Sequence, residues 1–174
     1  MRAGAALLVA FALAGCASEA PRTAYDLSPI EAPRLKRPFA VEVSAPDAAA
    51  NLDSARILVR DGGDPFVLAD AQWERPLPAL VAARIGETLN SPAGPPRVRL
   101  ALSIEKFELL AQRKTVALAI LATVTDAASG RVLRKRDFSA AAAVATTRPT
   151  DVAAGFDRAF AGLQARIAAF AYDP

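Results

Sequence analysis

The sequence predicts an α+β domain: a single mixed or mainly antiparallel sheet with two helices packed on one face, behind a signal peptide and an extended tether. Three observations predict it. Leu77, Val81, Ile85 and Leu89 recur at helical spacing, and so do Val152, Phe156, Phe160, Leu163, Ile167 and Phe170. Before and between these stretches, apolar and polar residues alternate with the period of a half-buried strand. Prolines and glycines fall between the periodic stretches, where turns belong.

The first element is a leader. Arg2 precedes an apolar run from Ala5 to Ala14, and small residues close it. That is the layout of a secretory signal. The run is too short to span a bilayer, which takes roughly 20 apolar residues. Residues 1–15 are read as the signal, and Cys16, the one cysteine in the sequence, follows it directly. Residues 16–38 then carry Pro21, Pro29, Pro33 and Pro38. Proline cannot donate to a helix or a sheet ladder, so this stretch is expected to be an extended tether with a reach on the order of 60 Å. Tyr25-Asp26-Leu27 interrupts it as a small apolar motif able to dock on the domain or on a partner.

The domain is expected over 39–174. Phe39-Ala40-Val41-Glu42-Val43 and Arg56-Ile57-Leu58-Val59-Arg60 read as strands, with a helical turn from Leu52 to Ala55 between them. Asp61-Gly62-Gly63-Asp64 reads as a turn into a short strand over 65–68. A helix follows from Pro76 to Leu89, its prolines in the first turn where their missing N–H groups cost nothing. Val98, Leu100, Leu102 and Ile104 share one strand face; Phe107 and Leu109 fall on the other parity, which predicts a bulge near Lys106. Val116, Leu118, Ile120 and Val124 form the next inward face, and residues 131–139 a third strand extending toward Val144. The closing helix is expected to be capped by Thr150 or Asp151.

Composition excludes much chemistry. The sequence holds no histidine, which removes the commonest general base and metal ligand together. No paired carboxylates stand out, and Gly62-Gly63 lacks the Lys-Ser/Thr of a phosphate loop. No catalytic residue, metal site or cofactor is expected. The net charge is +3, and removal of Arg2 leaves 20 basic against 18 acidic residues, so nucleic acid is not an expected partner. The densest basic stretch, Arg131-Val132-Leu133-Arg134-Lys135-Arg136, reads first as a solvated strand face and second as a contact for anionic lipid. Trp73 reads either as core over the first turn of the first helix or as an interface anchor.

Leu13-Ala14-Gly15-Cys16 resembles the bacterial lipobox, whose cysteine receives a diacylglyceryl group and becomes the new N-terminus. The ordered set that follows is similar to the ABC-type transport auxiliary lipoprotein family, of the paraquat-inducible protein C type. It comprises Tyr25-x-Leu27, the stretch from Leu52 to Arg60, Trp73 before an amphipathic helix, Phe107-Glu108, Gly130-Arg131-Val132-Leu133 and a Phe- and Ala-rich last helix. Where members usually show Tyr residues, this chain has Phe66. The resemblance implies a non-catalytic accessory of an MCE-type system that moves phospholipid or other hydrophobic molecules between membranes. Its partner would be the MCE-domain protein, with Tyr25, Leu27 and Trp73 as candidate contacts. The acylated Cys16 would hold it on the periplasmic face of the outer membrane rather than the inner, since Ala17 is not Asp. A homo-oligomer is compatible with this reading. A periplasmic lipid carrier and an outer-membrane assembly lipoprotein are the alternatives.

Overall fold

A computed structural model describes residues 21–30 and 37–173. Cys16 and the leader lie outside the described residues. The elements are β1 (Thr23–Tyr25), β2 (Ala40–Val43), β3 (Asp47–Ala48), β4 (Arg56–Arg60), β5 (Phe66–Trp73), α1 (Leu77–Leu89), β6 (Pro96–Leu110), β7 (Thr115–Asp126), β8 (Val132–Ala143) and α2 (Pro149–Tyr172). One eight-stranded mixed sheet runs β1-β5-β4-β6-β7-β8, and β2 and β3 pair with the earlier part of β6. Its backbone is the antiparallel β6-β7-β8 meander; β1, β2, β3 and the β4–β6 pairing are parallel.

Both helices cover one face, as the two apolar stripes require. Alternation in the meander sends Val98, Leu100, Leu102 and Ile104 of β6 and Val116, Leu118, Ile120, Ala122 and Val124 of β7 into the core. Register slips between Ile104 and Lys106, leaving Glu105 as the extra residue of a bulge. The slip returns Phe107 and Leu109 to the buried face. Trp73, Phe107, Phe156 and Phe160 form an aromatic centre. Phe107 stacks on Phe156 at 4.8 Å, and Trp73 meets both rings edge-on at 5.7 and 5.3 Å. Such pairs add about 0.5–1.5 kcal/mol each beyond area burial.

The helix ends follow from sequence in different ways. Pro76 and Pro78 open α1, and Asn90 closes it in the left-handed region at φ 42°, its N–H bonding to the Gly86 carbonyl at 3.1 Å. α2 begins one residue earlier than Thr150 or Asp151 could cap it. Pro149 occupies its first turn, Arg148 is the cap residue, and no side chain bonds the free N–H groups there. Asp151 instead accepts from the Thr146 hydroxyl at 2.5 Å and places its charge at the positive end of the helix dipole.

Three other expectations are corrected. Residues 52–55 make no helical turn; Leu52 and Asp53 close a turn on the Ala49 carbonyl, and Leu52 is buried. β5 runs to Trp73 rather than ending at 68, because Ala71 and Trp73 alternate inward around Gln72. The proline-rich segment is not a free tether throughout: Thr23, Ala24 and Tyr25 are extended as expected but pair in parallel with Ala71, Gln72 and Trp73 of β5.

Candidate functional surface

Beyond the β1–β5 ladder, the described part of the N-terminal segment is fastened to both helices. The Glu74 N–H bonds to the Tyr25 carbonyl at 2.8 Å. The Asp26 carboxylate pairs with Arg84 of α1, and the Ser28 N–H bonds to Asp157 of α2 at 2.6 Å. Leu27, between them, is fully buried. Partial burial by itself would depress the Arg84 pKa, but hydrogen bonds to Glu87 and Asp26 outweigh it and raise it above the ordinary value. The guanidinium is a permanent cation clamping the segment to α1.

This geometry locates the candidate contacts. Tyr25 lies opposite Trp73 in the β1–β5 register, so these two come together. Trp73 is 1 % exposed and Leu27 is 0 % exposed, while Tyr25 is half-buried. Trp73 thus packs as core over the aromatic centre, and Leu27 as the peg that seats the segment. Of the three, Tyr25 alone presents surface.

The basic stretch over 131–136 has a structural role. Arg134 donates to the Phe170 and Ala171 carbonyls at 3.3 and 3.2 Å, capping the end of α2. The Arg136 guanidinium lies 4.9 Å from the Phe170 ring centre. α2 returns donors to β8, the last strand in the sheet order: Arg166 bonds to the Ser139 carbonyl at 2.6 Å and Arg158 to the Ala143 carbonyl at 2.8 Å. Val132 and Leu133, at the start of β8, are exposed.

At the other end of the sheet lies a surface that sequence reasoning missed. The β4–β5 turn projects there with Phe66 and Val67 exposed. An open hollow of about 360 Å³ beside it has an apolar part, with Val59, Phe66, Leu68 and Leu109, and a polar part, with Asp61, Gln112 and Thr147. A second, of about 420 Å³, is lined by Arg60, Lys106, Glu108, Gln112 and Arg113. The buried Glu108 carboxylate accepts from Arg60 Nε at 3.0 Å, which balances its charge. Position 108 lies within a run of apolar residues, so only its neighbourhood to Arg60 in the folded sheet reveals the pair.

Among the described residues, no three His, Cys, Asp or Glu side chains gather to hold a metal. No helix there is long and apolar enough to cross a membrane.

Comparison with known proteins agrees with this picture. The sequence pattern of the family described as ABC-type transport auxiliary lipoprotein component matches residues 25–168. The crystal structure of protein XCC0632 from Xanthomonas campestris, of family DUF330, is similar with a TM-score of 0.76 at 22 % identity, covering 85 % of this chain and 92 % of that one. The crystal structure of an uncharacterized protein is similar with a TM-score of 0.71 at 13 % identity, covering 85 % and 97 %. These two likenesses establish a shared fold. No curated protein matches the sequence.

Proposed function

Because the chain belongs to the ABC-type transport auxiliary lipoprotein components, we propose that it is the lipid-anchored, non-catalytic accessory of an MCE-type transporter. The observation that carries this reading is the family match over 25–168 together with Leu13-Ala14-Gly15-Cys16 at the end of an apolar leader. In it, residues 1–15 are removed and the acylated Cys16 attaches the protein to the periplasmic face of the outer membrane. The folded domain then holds the MCE-domain protein while phospholipid or another hydrophobic molecule passes between the membranes. Tyr25 contributes accessible surface to that contact, and Leu27 and Trp73 support it from within.

Two measurements test the proposal. Labelled palmitate should enter the wild-type chain and not Cys16→Ser; equal labelling of both removes the anchor. Pull-down of the acylated protein from detergent extract should recover an MCE-domain protein. Recovery of a lipid-bound monomer without any transporter component would replace the accessory role with that of a carrier.

A further inference from the structure

β1 fixes where the N-terminal segment leaves the domain. It runs parallel to β5 with Thr23 opposite Ala71, so the strand direction carries Arg22 and Pro21 toward the start of β5 and the β4–β5 turn. Arg22 is still on that path, its Nε donating to the Ala69 carbonyl at 3.0 Å. Pro21 follows Cys16 by only five residues. An extended chain advances at most about 3.5 Å per residue, so Cys16 lies within about 17 Å of Pro21.

That radius selects one end of the molecule. β1 sits level with the later half of β6, since β5 pairs with β4 and β4 pairs with Glu108, Leu109 and Leu110. From Val98 to Phe107, β6 spans about 30 Å at the usual strand rise. The turn after β7, with Ser129, and the exposed Val132 and Leu133 lie at the distant end. Acyl chains on Cys16, a premise taken from the function proposed above, are within reach of the β4–β5 turn by that length of chain.

This near end has the chemistry of a membrane contact. Phe66, the first residue of β5, is 50 % exposed and Val67 beside it 41 %. Lys106, Arg113, Lys114 and Arg148 surround this end and have no ion-pair partner among the described residues. Asp61 and Asp64 in the turn offset part of that charge. The apolar pair is thus the main attachment, and the cations supply a preference for anionic headgroups.

We propose that the β4–β5 turn, through Phe66 and Val67, rests in the headgroup layer of the anionic bilayer that holds the Cys16 acyl chains. The domain then stands directly on the membrane, and the start of β8 and the end of α2 face away from it.

The full acylated chain tests this in vesicles of phosphatidylethanolamine and phosphatidylglycerol carrying a headgroup nitroxide. Since acylation consumes Cys16, Val67→Cys and Ser129→Cys each offer a single thiol for a fluorescent dye. Quenching at position 67 should exceed that at position 129 by about threefold or more, as expected for an apolar group at the interface. Equal quenching, or stronger quenching at 129, overturns the proposal. The mass of the N-terminal peptide is measured on the same samples. An unmodified Cys16 overturns the anchor and this surface together; an acylated Cys16 with the dye at 67 unquenched overturns the surface alone.

Discussion

Thr88 on α1 and Gln164 on α2 meet inside the protein, the Thr88 hydroxyl oxygen 2.8 Å from the Gln164 side-chain amide and both residues fully buried. The same hydroxyl lies 2.9 Å from the Arg84 carbonyl. One hydroxyl proton cannot serve two acceptors. Gln164 Oε1 is the atom nearest the hydroxyl and Nε2 is buried without a partner; with the amide turned over, Thr88 donates to the Arg84 carbonyl and accepts from Gln164 Nε2–H.

This pair sets an asymmetric expectation. Thr88→Val strands a buried amide and should cost about 1–3 kcal/mol. The double variant Thr88→Val with Gln164→Leu removes both partners and should recover much of that loss. A double-mutant cycle by urea titration measures the difference; additive losses would mean that the two side chains act independently.

The aromatic centre should tolerate truncation poorly. Phe160 is fully buried and Trp73 nearly so, and replacing either by Ala should lower stability by about 3–5 kcal/mol. A loss below about 1 kcal/mol for Trp73→Ala, with partner capture abolished, would return Trp73 to the role of interface anchor.

Two glycines of α2 should respond with opposite sign. Helix propensity favours Ala over Gly by roughly 1 kcal/mol. At Gly162 an added Cβ meets nothing within 4 Å, so Gly162→Ala should stabilise. At Gly155 the Cβ would clash with a methyl of Val144, and overpacking there should cost about 1–3 kcal/mol and outweigh propensity. Thermal melts decide it, and adding Val144→Ala should relieve the Gly155→Ala defect.

A chain beginning at Phe39 loses β1 and the Leu27 peg. It should fold, since the meander and both helices are intact, but with lower stability. Leu27→Ala in the full chain should cost about 2–5 kcal/mol. Denaturation midpoints of the three chains give the comparison; equal midpoints would mean that the segment docks without holding the fold.

The Asp126 carboxylate accepts from the Ser129 hydroxyl at 2.7 Å and from its N–H at 2.8 Å, and these bonds hold its pKa below the ordinary 3.8. A depressed folded-state pKa contributes stability above the unfolded value that is lost as pH falls through the folded one. The β7–β8 turn should therefore loosen in acid below the ordinary value, and Asp126→Asn should remove that dependence. Amide exchange at Gly130 followed against pH would report it.

The meander and both helices were legible because each carries a period that only one geometry buries. The bulge was legible too, since Phe107 and Leu109 change parity against Ile104. β1 and β3 were not. Thr23, Ala24 and Tyr25 are too short a run for a period and stand among prolines, so their pairing depends on β5 being present to receive them. The end of β5 was hidden because Trp73 stands against Pro76 and looks like the start of a helix. Cys16, an expectation from the sequence, lies outside the described residues. The exposed turn at Phe66 and Val67 could not be read as surface, because an apolar pair in a strand looks the same whether it faces a core or a solvent.

The guanidinium groups that α2 lends to the carbonyls of β8 make the last helix a guard as well as a cover. Arg158 and Arg166 occupy acceptors on a long terminal strand that would otherwise template a further chain. Fraying of α2 would release both at once, so partial unfolding at the C-terminus and a tendency to aggregate become a single event.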